Sequence, residues 1–274
     1  MITLHSLQNS LTALPSSDRL PALFIGHGSP TNAIAQNDFT RSLYALGTSL
    51  PRPQAILVIS AHWLTDGTFV SSTEKPRTIY DFYGFPPEMY TIEYLCAGAP
   101  VIAREISESI SNATVSPDAQ MGLDHGAWTI LRHLYPLADI PVFQLSIDMQ
   151  KPMEYHYALA KELRNYRSKG VLIIGSGNLV HNLRLVDWQN ESGSSYEWAI
   201  AFDAFVKQHL LDGNHRQLIE YDKHTPHAQL AHPSNDHYIP LMYLIGAQDT
   251  NDELQFTYEG FQYGSVSMRC VKVG

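Results

Sequence analysis

The chain is poor in cysteine, with two in 274 residues. Cys96 and Cys270 lie far apart in the sequence and in no metal-binding spacing. A disulfide framework is therefore not expected, and a reducing compartment fits. Charge is also sparse, at 16% of residues, which excludes a disordered or coiled-coil chain. Bases are the scarcer sign: 18 Lys and Arg against 27 Asp and Glu leave a formal charge of −9. No run of Lys or Arg reverses that balance locally, which argues against nucleic acid and anionic membranes as partners. No apolar run reaches the length of a bilayer span. Residues 1–20, MITLHSLQNSLTALPSSDRL, lack the basic start and apolar centre of a signal peptide and read as a flexible leader. The expectation is a cytoplasmic chain in which residues 21–274 form a single domain. Two common signatures are missing as well. GSGN at 175–178 is glycine-rich but lacks GxGxxG, so a dinucleotide site is not expected. Ser29 in GHGSP is not in a GxSxG elbow, which argues against a serine hydrolase.

What is present is histidine, thirteen of them, several beside Gly, Pro or Asn at the ends of apolar runs. The runs PALFIG, QAILVIS, IPVFQLSID and VLIIGSGNLVHN read as buried strands, and GSVSMRCVKV alternates like a final strand. Helical spacing marks 38–50, 100–112, 152–168 and 196–211, and a helix follows Asp124-His125-Gly126. YIPLMYLIGA reads as a buried helix or strand. Residues 73–100, rich in Pro, Gly and Tyr, carry no period and read as a long ordered loop. Alternating strands and helices, with several strands apolar throughout, predict an α/β domain. Its central sheet is mostly parallel or mixed and is flanked by helices on both faces.

Ligands of such sheets bind at the carboxyl ends of the strands. His27, His62 and His181 fall at three of these ends, and His125 and His237 lie on segments able to close over that edge. A single histidine at a strand end is more often structural, but three in the same placement point to one metal site. Imidazole ligands suit Zn, Fe, Cu or Ni, and a strand-end position favours an open, catalytic site over a closed structural one. A further histidine there can act as acid or base near neutral pH. His5, His133, His156, His209 and His215 read as surface or packing residues. His224, His227 and His232 are left open, as is the choice between packing and an aromatic pocket for Trp63, Trp128 and residues 80–85.

Five motifs, GHGSP (26–30), SAHW (60–63), DHGAW (124–128), SGNLVHN (176–182) and DHYIPL (236–241), occur in one order. From Pro21 to the C-terminus the chain resembles the class III extradiol ring-cleavage dioxygenases, in the branch of the 4,5-DOPA dioxygenases. The resemblance implies an enzyme that opens a catechol ring with both atoms of O₂ at one non-haem metal ion, giving a muconic semialdehyde. It implies His27, His62 and His237 as metal ligands, His181 as a further ligand or acid/base, and His125 as a catalytic histidine. Fe(II) is then expected for activity, with Zn(II) able to fill the same site; no other cofactor is expected. Asp236, beside His237, is the rival third ligand. The partners are a small catechol and O₂, and oligomeric state leaves no mark on the sequence. Two other readings compete: a zinc-dependent hydrolase using the same histidines, and a non-catalytic binding protein that keeps the fold.

Overall fold

The computed structural model describes residues 19–190 and 194–274; most of the N-terminal segment read as a leader lies outside the described residues. Among the described residues twelve strands are formed: β1 (Ala22–Gly26), β2 (Ala55–Ser60), β3 (Leu64–Thr65), β4 (Thr68–Ser71), β5 (Val115–Asp118), β6 (Val142–Gln144), β7 (Ile147–Asp148), β8 (Val171–Gly177), β9 (Leu254–Tyr258), β10 (Phe261–Gln262), β11 (Val266–Ser267) and β12 (Cys270–Val273). Six of them build one sheet in the order β6-β2-β8-β1-β12-β9. β6, β2, β8 and β1 run parallel, and β12 and β9 add antiparallel pairs at one side. The sheet is thus mixed, with a parallel half that holds all the histidine-bearing strand ends.

Every residue of β1, β2 and β8 is buried. Alternation of side chains across the sheet explains why. Phe24, Leu57 and Ile173 face one apolar layer, shared with the helices Met153–Leu163 and Pro240–Ala247. Leu23, Ile25, Ile56, Val58, Leu172 and Ile174 face the other, shared with Asp38–Ser49 and His125–Leu134. Helices on both faces leave no solvated side, so these strands carry continuous apolar runs.

Several boundaries differ from the sequence pattern, each for a local reason. IPVFQLSID splits into β6 in the main sheet and β7, which pairs with β3. GSVSMRCVKV splits into β11 and β12 and is buried almost throughout, so its apparent alternation does not mark a solvated face. YIPLMYLIGA is the helix Pro240–Ala247, buried at all eight positions because it is sandwiched between β8 and the helix Met153–Leu163. The loop at 73–100 is irregular as expected, apart from one 3-10 turn at Pro87–Tyr90. No helix among the described residues is long and apolar enough to cross a membrane.

The parallel strands end in register, with Gly26 beside Gly177 and Ser60 beside Ser176. Gly177 explains the GSGN motif. A Cβ there would stand 2.2 Å from the His237 carbonyl oxygen, and the Asn178 N–H donates to that oxygen at 3.0 Å. Only a glycine lets the segment at 237–240 lie directly on β8, and this contact delivers His237 to the strand ends.

His156, buried on the helix Met153–Leu163, shares a hydrogen bond with the Tyr243 hydroxyl at 3.0 Å. Burial holds it down to about 4. An unfolded chain binds that proton near 6.5, so this group's contribution to stability is complete above pH 6.5 and is lost as pH falls toward 4. Urea unfolding at pH 7 and pH 5 is expected to show His156→Gln losing about 1–2 kcal/mol less than the wild type over that interval. Equal losses in the two proteins would contradict it.

Candidate metal centre and cavity

Five histidines meet at the carboxyl edge of β2, β8 and β1, each brought there by a different segment. His27 follows β1, His62 lies two residues past β2, and His181 lies four past β8. His125 opens the helix His125–Leu134, whose N-cap is Asp124 accepting from the Ala127 N–H. His237 lies on the segment packed against Gly177. The imidazole of His27 lies 5.0 Å from that of His62 and 5.2 Å from that of His237, centre to centre. His125 lies 3.8 Å from His62 by the same measure. His181 stacks on His237 with the rings 3.4 Å apart and nearly parallel.

The nitrogens do not form one undivided group. One set of donors within 4.8 Å of one another is His27, His62 and His237; a second is His181, Asp236 and His237; a third is His62, Asp81 and His125. His181 is therefore beside the first set but outside it. The remaining histidines play other parts. His133 donates to the Asn32 carbonyl and His232 to the Leu179 carbonyl, and His209, His215, His224 and His227 belong to none of the three groups.

Tautomers follow from the partners. The Ser176 hydroxyl donates to the Gly126 carbonyl at 2.6 Å, so its oxygen is free to accept from Nδ1–H of His27 at 3.0 Å. This leaves the Nε2 lone pair of His27 facing Nε2 of His62 at 3.2 Å. Nδ1 of His237 pairs with Asp236, and its Nε2 is buried with no hydrogen-bond partner. Burial, then repulsion from neighbouring imidazoles, holds His27, His62 and His237 well below the usual histidine range. His181 is lowered to about 4, again chiefly by burial. His27, His62, His181 and His237 are consequently neutral at pH 7, with their lone pairs available.

The histidines line a cavity of about 680 Å³, a size that takes a small aromatic molecule. Phe82, Tyr83 and Phe85 from the 73–100 loop form part of the wall, so some of the aromatics at 80–85 line a pocket. Trp128 is fully buried and Trp63 nearly so, and these two are packing residues.

Residues 23–269 match the family described as the catalytic LigB subunit of aromatic ring-opening dioxygenase. The chain belongs to this family. It is 44% identical over 263 residues to the 4,5-DOPA dioxygenase extradiol of Escherichia coli, covering 94% of this chain and 96% of that protein. It is 35% identical over 250 residues to the 4,5-DOPA dioxygenase extradiol of Beta vulgaris, with 89% and 92% covered. A crystal structure of an uncharacterised Escherichia coli protein is similar to it with a TM-score of 0.82 at 40% identity, covering 93% of this chain and 100% of that one. The α/β fold and the ring-opening chemistry expected from the five motifs hold, against the hydrolase and binding-protein readings. This LigB-family chain is an extradiol ring-cleaving dioxygenase, a class that works at a mononuclear metal.

The residues fit such a metal. The buried Nε2 of His237 has no partner of its own, and it shares one small space with donors from His27 and His62. Converging neutral imidazole lone pairs suit a divalent transition-metal ion. The hydrogen bonds donated by His27 to Ser176 and by His237 to Asp236 orient two of the three rings, as metal-ligand histidines require.

Sequence reasoning missed Asp81. It sits in the aperiodic loop, yet its carboxylate accepts from the backbone N–H of His125 and from Nδ1 of His125, both at 2.8 Å. Burial alone would raise Asp81, but these bonds outweigh it and hold the carboxyl below its ordinary value. The Asp81 contact fixes the His125 ring with Nε2 turned away from the carboxylate. Asp124 is a different case: burial first, then the Asp81 charge, pushes it up to about 6, and its Oδ1 accepts from Ser60.

An Asp81→Asn variant keeps the shape but leaves one acceptor oxygen and one NH2 donor where the two carboxylate oxygens each accept from His125. Its kcat is expected to fall about 10–100-fold, with one metal per chain retained and KM little changed. A kcat within twofold of wild type in the metal-replete variant would show that Asp81 only packs the loop.

Proposed function

We propose that this chain opens the ring of an L-DOPA-like catechol beside the two hydroxyls, at one Fe(II) ion held by His27, His62 and His237. The observation that carries the ligand set is the partnerless, buried Nε2 of His237 grouped with the donors of His27 and His62. The catechol class rests on the relatives' names and on the aromatic wall of the cavity. His181 lies outside this trio and against the His237 ring, which suits it to proton transfer. When bound, Fe(II) lowers the pKa of the catechol hydroxyls and brings the ring and O₂ together, which Zn(II), having no redox chemistry, does only in part.

The chain's own residues supply the rest. Phe82 and Phe85 give the ring an apolar face and keep water from it. His181, neutral at pH 7 with its value lowered to about 4, accepts a hydroxyl proton as the catechol enters. His125, with Nδ1 held by Asp81, turns the Nε2 lone pair to the cavity, takes up the second hydroxyl proton there and returns it as the ring opens. The carbon–carbon bond next to the diol breaks, both oxygen atoms enter the product, and a muconic semialdehyde leaves.

Protein loaded anaerobically with Fe(II), then given L-DOPA and air, is expected to take up one O₂ per catechol and turn yellow. The zinc-loaded protein is expected to do neither. His125→Ala and His181→Ala are each expected to lower kcat by about 10²–10⁴-fold while keeping the metal, whereas His27→Ala and His237→Ala lose it. An iron-replete wild type that turns over no catechol would contradict the reading. Retention of iron by His237→Ala would contradict the ligand set.

A further inference from the structure

The catalytic histidines account for one end of the cavity, but its mouth carries a side chain that ring opening does not use. Arg184 is the single Lys or Arg among the described residues that line the cavity. No carboxylate among the described residues lies within ion-pair distance of it. Its position is built rather than incidental. It stands in the 3-10 turn Leu183–Leu185, three residues past His181. The buried Asn182 holds that turn, accepting from the Arg184 N–H at 3.1 Å and donating to the Leu230 carbonyl at 2.8 Å.

The segment that follows is pinned from the other side. The Asp187 N–H donates to the Tyr263 carbonyl at 3.0 Å, and the Trp188 and Tyr263 rings meet at 5.1 Å. Tyr263 holds a left-handed backbone at φ 52° in the turn between β10 and β11. Such a conformation is costly for a bulky residue, and here it sets the tyrosine at the cavity wall. The cavity wall thus carries one guanidinium and this aromatic pair. The two acids on the same wall are committed elsewhere: Asp81 to His125, and Asp236 to His237 and Ser234.

We propose that Arg184 is the specificity-determining residue of this enzyme, binding the free carboxylate on the side chain of a catechol acid, and that the site makes no provision for an α-amino group. The inference rests on the ring-opening reading. It narrows the substrate to catechols bearing a short carboxylate-ended chain, with or without an amine. Guanidinium and carboxylate match in shape and charge, whereas an ammonium at the same mouth meets a cation.

Four catechols separate the possibilities: dihydrocaffeate (carboxylate alone), L-DOPA (carboxylate and amine), dopamine (amine alone) and 4-methylcatechol (neither). With iron-loaded enzyme, kcat/KM for the two acids is expected to agree within a few-fold and to exceed that of the other two by about tenfold or more, mainly through KM. Arg184→Gln is expected to collapse that gap, and Arg184→Lys to keep part of it. Anaerobic calorimetry with 3-phenylpropanoate, which has no hydroxyls to react, is expected to give a Kd about tenfold weaker in Arg184→Gln. Equal kcat/KM for all four catechols, or a gap that survives in Arg184→Gln, would overturn the assignment and leave the ring-opening reading intact. Arg184-dependent binding of 3-phenylpropanoate with no turnover of any catechol supports the anchor and sinks the ring-opening reading instead.

Discussion

Desolvation of imidazole is the constraint on which the rest of this structure depends. Five histidines from five segments are packed against one another at the end of a parallel sheet, three of them almost fully buried. Burial and proximity both work against positive charge on His27, His62 and His237 and hold these rings neutral. Neutral rings have one donor and one lone pair, so each needs its donor nitrogen tied down if its lone pair is to face the centre. The hydroxyl of Ser176 does this for His27, and carboxylates do it for His237 and His125. Those ties come from β8, from the residue preceding His237 and from the 73–100 loop, and so the fold as a whole sets the chemistry of the cluster.

Much of the scaffold was legible because its signals are local. The apolar runs of β1, β2 and β8, and the helical spacing at 38–50 and 196–211, reflect burial on one or two faces. The placement of His27, His62 and His181 at strand ends followed from the α/β rule alone, while the parts proposed for His237 and His125 needed the family resemblance. What escaped were interactions between remote segments. Asp81 meets His125 across 44 residues, and Ser176 meets His27 across 149. Neither residue has a periodicity or a motif that announces it. GSGN was legible as glycine-rich but not as a packing device, because its meaning lies in the His237 backbone that rests on it. The breaks in IPVFQLSID and GSVSMRCVKV were hidden for a similar reason: the partner strand, not the run itself, decides where pairing stops.

The cavity divides its labour along its length. At the sheet edge sit neutral imidazoles suited to a metal and to proton transfer, and on the wall sit Phe82 and Phe85. At the mouth, Trp188, Tyr263 and Arg184 are fixed by the turn between β10 and β11 and by Asn182. With a formal charge of −9 overall, the protein repels anions at long range. A lone guanidinium at the entrance is then a local exception, and its effect is confined to about a Debye length.

The central claim is that three imidazoles, and no carboxylate, hold the metal. X-ray absorption spectroscopy of the anaerobic Fe(II) protein tests it most directly, because imidazole rings give multiple-scattering features that carboxylates lack. The account predicts three imidazoles per iron, falling to two in His237→Ala supplemented with excess iron. Two imidazoles and one carboxylate in the wild type, with the carboxylate lost in Asp236→Ala, would contradict it.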